Sequence, residues 1–152
     1  MGLKEILHSD LIEAIRSRDE LKSGTIRMVL TAITNEEVSG KAARTLSEAE
    51  IITVLSREAK KRREAAEAFT DGGRLDRAER EKLEGEFIIT YLPVQLSENE
   101  IKQLIAEAII ESGAVGAAGM GQVMKVISSK IAGKADGGTV SALVKAALTG
   151  GN

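Results

Sequence analysis

One proline, Pro93, stands in 152 residues, and it constrains the fold more than any other feature of the chain. A proline ring inside a helix clashes with the preceding turn and supplies no N–H, so it breaks the element. A chain almost free of proline can run helix after helix, with one enforced interruption at Leu92-Pro93, where the residue before the ring is also pushed out of helical geometry. The apolar spacing supplies the helices. The first carries Leu3, Ile6, Leu7, Leu11 and Ile15 on one face. The second carries Ile26, Val29, Leu30 and Ile33 and ends near Gly40. The third follows Leu46, runs through Ile51, Leu55, Ala59 and Ala66 to Phe69, and stops at Asp71-Gly72-Gly73. The fourth starts near Arg74 and carries Leu83, Phe87 and Tyr91.

Beyond Pro93 three shorter stripes follow: Ile101, Leu104, Ile105, Ala108 and Ile109; Met120, Val123, Met124, Ile127 and Ile131; and Val140, Leu143, Val144, Ala147 and Leu148. Glycine-rich joints separate them, from Gly113 to Gly119 and from Gly133 to Gly138. Val123 to Ile127 fits a 3.6 period with Ile131 better than strand alternation. The expected fold is all-α: a four-helix N-terminal region over residues 1–92 and a three-helix C-terminal region over 93–152. So small a C-terminal region buries proportionally little surface, and it is expected to lean on the first region or on a partner.

Two of the helix starts are written into the sequence. Leu46-Ser47-Glu48-Ala49-Glu50-Ile51 recurs as Leu96-Ser97-Glu98-Asn99-Glu100-Ile101. Each reads as a capping box, in which the serine hydroxyl accepts from the amide three residues on and the glutamate reaches back to the serine amide. Each also offers a hydrophobic staple, Leu46 to Ile51 and Leu96 to Ile101. The flanking residues differ, so the repeat reflects shared capping physics rather than a duplicated domain.

Composition sets the chemistry. Hydrophobic residues make up 43% and aromatics 2%, so the core is aliphatic and interdigitates without polar partners. The formal net charge is −2, and any nucleic-acid contact must come from a local patch. Residues 1–92 hold 16 of the 21 Lys and Arg and 18 of the 23 Asp and Glu, leaving five of each beyond Pro93. Cysteine is absent, which excludes a disulfide framework, a thiolate-bound zinc and a thiol nucleophile. The first residues carry no signal-peptide apolar core and no run is long enough to cross a bilayer, so the expectation is a cytoplasmic protein without membrane contact.

The candidate chemistry is sparse. The lone histidine, His8, falls on the polar side of the first helix, as a surface residue does. Carboxylates interleave with Lys and Arg and show no metal-ligand spacing; no metal, cofactor or catalytic residue is expected. The Gly113–Gly121 series follows no strand and lacks a Gly-Lys-Ser/Thr ending, so it reads as a connector for close helix packing. Gly133-Lys134-Ala135-Asp136-Gly137-Gly138 has two readings. As a plain connector it turns one helix into the next, with Asp136 or Thr139 as cap. As a phosphate site it sets Lys134 beside free helix amides, with Gly133, Asp136 and Gly137 around it. Arg57, Lys60, Lys61 and Arg63 form a basic ridge, either a solvated face with i, i+4 pairs or a row of phosphate contacts. Arg62 falls on the apolar sector of its helix with Glu58 bordering it, and the two are expected to be held as a pair between helices.

Taken in order along nearly the whole chain, several short runs resemble the YqeY family: Ile26-Arg27-Met28-Val29-Leu30, Asn35-Glu36-Glu37, Ser56-Arg57-Glu58 with Lys61 to Glu64, Gly72-Gly73-Arg74, Tyr91 to Ser97, Met120 to Lys125, and Gly133 to Gly137. The tail is also similar to the C-terminal domain of GatB, a component of the Asp/Glu-tRNA amidotransferase, through Gly121-Gln122-Val123-Met124 and Gly133-Lys134-Ala135. The resemblance implies an all-helical fold and a tail used to engage tRNA. It carries over no catalytic residue, because the large part of GatB that binds ATP and magnesium has no counterpart here. One departure is Gly119, where the family is expected to place an aspartate before Met-Gly; its loss removes an N-cap from the sixth helix.

The leading functional expectation is therefore a non-catalytic accessory protein, tRNA-binding or related to tRNA amidotransferases, whose partners are tRNA, an aminoacyl-tRNA or an amidotransferase component. Its phosphate contacts would come from Lys125, Lys130, Lys134 and Lys145, with the Arg57–Arg63 ridge in support. The alternative is a helical protein-interaction scaffold, favoured by the acidic balance of residues 1–92. A carbon–nitrogen ligase using glutamine as amido donor ranks last, for want of a nucleophile, a base and a nucleotide site.

Overall fold

The computed structural model describes residues 1–150. Among these residues seven helices follow one another: α1 (Leu3–Arg16), α2 (Glu20–Glu37), α3 (Glu48–Asp71), α4 (Leu75–Ile89), α5 (Glu98–Ser112), α6 (Met120–Ile131) and α7 (Gly137–Leu148), with a short 3-10 turn at Ala117–Gly119 leading into α6. No strand occurs among the described residues, and the fold is all-helical. Contacts divide the chain into two compact units, Met1–Leu92 and the residues from Pro93 onward.

In the first unit, α1 to α4 close over Leu7, Ile26, Val29, Ile33, Leu46, Ile51, Leu55 and Ile88. Ser47 starts α3 with a complete capping box: its Oγ accepts from the Glu50 amide at 3.2 Å, and its own amide donates to Glu50 Oε1 at 3.2 Å. Leu46 and Ile51 are both buried, as a staple requires. Helix α2 ends at Glu37, ahead of Gly40. The apolar stripe of α4 differs from the sequence expectation. Leu83 is 42% exposed, and the buried line is Ala78, Gly85 and Ile88. Gly85 makes this possible: a Cβ there would lie 3.2 Å from Arg62 Cβ and 3.7 Å from the Ala59 carbonyl. A glycine reads as a breaker in sequence, yet here it lets α4 lie close against α3. Tyr91, just past α4, donates its hydroxyl to Asp10 Oδ2 at 2.6 Å and ties this end to α1.

In the second unit, α5, α6 and α7 enclose Ile101, Ile105, Ala108, Val123, Ile127, Val140 and Val144. Val123, Ile127, Val140 and Val144 have no exposed surface, and burial of each such side chain is worth roughly 1.5–3 kcal/mol. Ser97 caps α5 by accepting from the Glu100 amide at 3.2 Å, but Glu100 does not return the bond, so the second capping box is half formed. Glycine handles the α5–α6 joint. Gly113 (φ +68°) and Gly116 (φ +64°) adopt left-handed backbone. Gly119 sits so close to Ala114 that an added Cβ would fall 2.6 Å from the alanine Cβ. Gly119 provides no side-chain cap for α6, which starts bare, as its sequence implies.

Candidate nucleic-acid interface

Charge in the second unit is sorted by helix. Residues 93–112 carry Glu98, Glu100, Glu107 and Glu111 against Lys102, whereas residues 113–150 carry Lys125, Lys130, Lys134 and Lys145 against Asp136. A region that is neutral in sum is thus acidic along α5 and basic along α6, α7 and their connecting turn. Lys102 pairs with Glu98 at 3.1 Å. Lys130 reaches Glu111 on α5 at 3.9 Å. Lys125, Lys134 and Lys145 lie on the surface of α6, the turn and α7 and, among the described residues, have no carboxylate within ion-pair distance.

The helical repeat gives the directions of these groups. Lys130 leans toward α5, and Lys125, five residues earlier, points about 140° away from it. On α7, Leu143, Ala146 and Ala147 border a groove shared with α5, and Lys145 projects from the side away from that groove, between the positions of Leu148 and Ala142 on the helix circumference. Lys125 and Lys145 are thus each exposed on the part of their own helix away from these α5-facing positions.

The turn between α6 and α7 is tightly specified. Gly133 takes φ +73°. The Lys134 amide donates to the Ile131 carbonyl at 2.8 Å, and the Lys134 carbonyl accepts from the Leu96 amide at 2.9 Å. Gln95 Nε2 donates to the Gly133 carbonyl at 2.7 Å. The segment after Pro93 thus clamps the turn, a role for Gln95 and Leu96 that no local pattern announces. Asp136 is the N-cap of α7: its Oδ2 accepts from the Thr139 amide at 3.1 Å and from the Thr139 hydroxyl at 3.0 Å. A carboxylate already complements this helix end, so Asp136 is a cap that repels a phosphate rather than a ligand for one. Lys134 remains exposed on the turn, and a Cβ added at Gly137 would meet open space.

The basic ridge of α3 is engaged in interactions of its own, two of them with carboxylates of the first unit. Arg57 Nη1 lies 3.5 Å from Glu36 on α2, Lys61 donates to Glu58 Oε1 at 3.1 Å, and Lys60 and Arg63 are engaged as well. The expected Glu58–Arg62 pair is replaced by other partners. Glu58 is 6% exposed and pairs with Lys61. Arg62 turns to α4, with Nη1 3.4 Å from Glu81 and 3.9 Å from Glu84, and it also meets Met28 Sδ at 3.2 Å. The reason is the close α3–α4 approach at Gly85, which brings two α4 carboxylates within reach of a side chain that periodicity along α3 alone would leave beside Glu58. His8 is exposed on α1. No group of three or more potential metal ligands gathers among the described residues, and no single helix there is long and apolar enough to cross a membrane.

The family model for Yqey-like proteins matches residues 4–148. The chain belongs to the YqeY family. Among curated YqeY relatives, the mitochondrial protein Altered inheritance of mitochondria protein 41 of Clavispora lusitaniae is 33% identical over 135 residues, covering 86% of this chain and 77% of its own. The protein of the same name in Lachancea thermotolerans is 33% identical over 108 residues, 69% of this chain and 57% of its own. An uncharacterized protein of Schizosaccharomyces pombe is 28% identical over 96 residues, 63% of this chain and 76% of its own. These matches correct the cytoplasmic expectation, because the relatives so named are mitochondrial proteins. That expectation rested on the lack of an apolar leader, a feature that does not separate cytosolic from mitochondrial proteins.

Proposed function

We propose that this YqeY-family chain is a non-catalytic accessory protein that binds tRNA through α6, α7 and the turn between them. The observation that carries the reading is the sorting of charge in the second unit: Lys125, Lys134 and Lys145 are each exposed, and the one carboxylate among residues 113–150, Asp136, caps α7. Long-range attraction to phosphate follows from such a patch even in a chain of slightly negative net charge. The resemblance of this region to the tail of GatB supports the same reading, and the role would be related to tRNA amidation. The absence of cysteine and the exposed position of His8 support a role without chemistry of its own. The names of the relatives suggest mitochondria as the compartment. Filter binding of transfer RNA at two salt concentrations tests the proposal: binding that weakens with salt and falls in Lys134→Glu is expected, and no binding at low salt refutes it.

A second reading, a helical scaffold for another protein, is favoured by one feature. A groove of about 670 Å³ between α5 and α7 is lined by Ile105, Ala106, Ile109, Ile110, Leu143 and Ala147, and Ile110 is 83% exposed. Its aliphatic walls fit an apolar helix of a partner. A partner that survives nuclease treatment and is lost in Ile110→Lys supports this reading; one lost with the nuclease supports the first.

A further inference from the structure

Residues 93–152 contain no aromatic residue, no arginine and no histidine; the last arginine is Arg80, and the rings are Phe69, Phe87 and Tyr91. This limits what kind of nucleic acid the lysine surface can hold. Single-stranded RNA is held by stacking its splayed bases on aromatic rings or guanidinium planes. The α6–α7 surface has neither. The chain's rings lie in the first unit and are occupied there. Phe87 and Tyr91 pack edge to face at 5.5 Å, Tyr91 is bonded to Asp10, Lys22 covers Phe87 at 5.8 Å, and Arg77 covers Phe69 at 5.8 Å. The planar fork that reads a base edge with two aligned donors is missing as well.

What the surface does offer is a set of point charges. Lys134 sits on the turn. Lys125 lies six residues before the end of α6 and Lys145 eight residues after the start of α7, about 9 and 12 Å along their axes at 1.5 Å per residue. Ammonium groups so spread suit a run of phosphates better than one phosphate pocket. In an A-form duplex the major groove is too deep and narrow for side chains to read, and recognition across the shallow minor groove rests mostly on phosphates and 2′-hydroxyls. Lysines of this kind meet that backbone without reading sequence.

Building on the tRNA reading, we infer that the ligand of α6–α7 is the sugar–phosphate backbone of a double-helical RNA stem, bound without base preference. Fluorescence anisotropy with the intact chain at low salt tests this. The probes are two RNA duplexes of equal length, one rich in G·C and one in A·U, and an oligo-adenylate strand of the same length. The two duplexes should bind within about twofold of each other, and the single strand at least about fivefold more weakly, since it has nothing to stack on. Lys125→Gln combined with Lys145→Gln should weaken both duplexes alike. Equal or tighter binding of the single strand, or a strong preference between the duplexes, overturns the inference while leaving RNA binding intact. Failure of all three probes to bind overturns it together with the tRNA reading.

Discussion

Arg62→Met removes the guanidinium that lies between α3 and α4 while keeping much of the side chain's apolar length. In the native protein this group is 20% exposed and faces Glu81 (19%) and Glu84 (15%). Glu84 keeps a second cation, Arg80, whose Nε is 3.1 Å away, whereas Glu81 relies on Arg62. Stripping one partner from a fully buried pair costs about 3–5 kcal/mol, because a charge is left behind without compensation. The residual exposure of all three side chains and the support from Arg80 reduce this to roughly 2–3 kcal/mol. For a unit of this size each kcal/mol moves the melting temperature by about 4–8 °C, so a fall of about 8–24 °C is expected for the first unit. The assay is thermal and urea unfolding followed by circular dichroism, with Arg62→Lys alongside. Lysine keeps the charge but loses the fork and the contact with Met28, and should fall between wild type and methionine. An unchanged or raised melting temperature in Arg62→Met would refute the argument, and a simultaneous loss of RNA binding would then mark Arg62 as a binding residue.

Gly119→Ala should destabilise the second unit by about 1–3 kcal/mol through overpacking on Ala114; Ala114→Gly in the same chain should restore part of it, and urea midpoints of the single and double variants measure the coupling. Ser47→Ala should cost about 1 kcal/mol and Ser97→Ala less, since the first serine sits in a closed capping box and the second in a half-formed one. Burial, followed by the bond to Asp10 and its charge, pushes the Tyr91 phenol well above its usual range. The folded state therefore favours the protonated phenol: this stabilisation is complete below the unfolded value of about 10 and is lost as pH rises beyond it. Urea midpoints should accordingly drop more steeply between neutral and strongly alkaline pH in the wild type than in Tyr91→Phe.

The legible parts of this fold are those written locally. The two Leu-Ser-x-x-Glu-Ile runs place the starts of α3 and α5, because a cap depends on four consecutive residues. The stripes of α5, α6 and α7 hold because each of these short helices buries one face in one core. Helix α4 is harder to read because its buried line runs through Ala78 and Gly85, residues whose worth lies in letting α3 approach and which carry little hydrophobic signal. The partners of Arg62 are hidden for the same reason: Glu81 and Glu84 come within reach through packing, not through spacing along α3. In the candidate site, the lysines are visible as residues but their fates are not. Lys130 turns to Glu111, and the turn is held by Gln95 and Leu96 from 38 residues away in sequence, whereas the cap at Asp136 is one of the two roles the sequence offers. The YqeY resemblance spans the chain, but a resemblance carries no address, and it is the named relatives that overturn the cytoplasmic expectation.

The central claim is that a few lysines on α6, the turn and α7 hold RNA through its phosphates. The salt dependence of tRNA binding measures this directly, because each phosphate contact releases counterions and adds to the slope of log Kobs against log salt. Three contacts from Lys125, Lys134 and Lys145 give a slope of about −2 to −3, and replacing all three by glutamine should bring it close to zero with the fold intact. A slope that persists unchanged in the triple variant would contradict the claim and move the binding surface elsewhere on the protein.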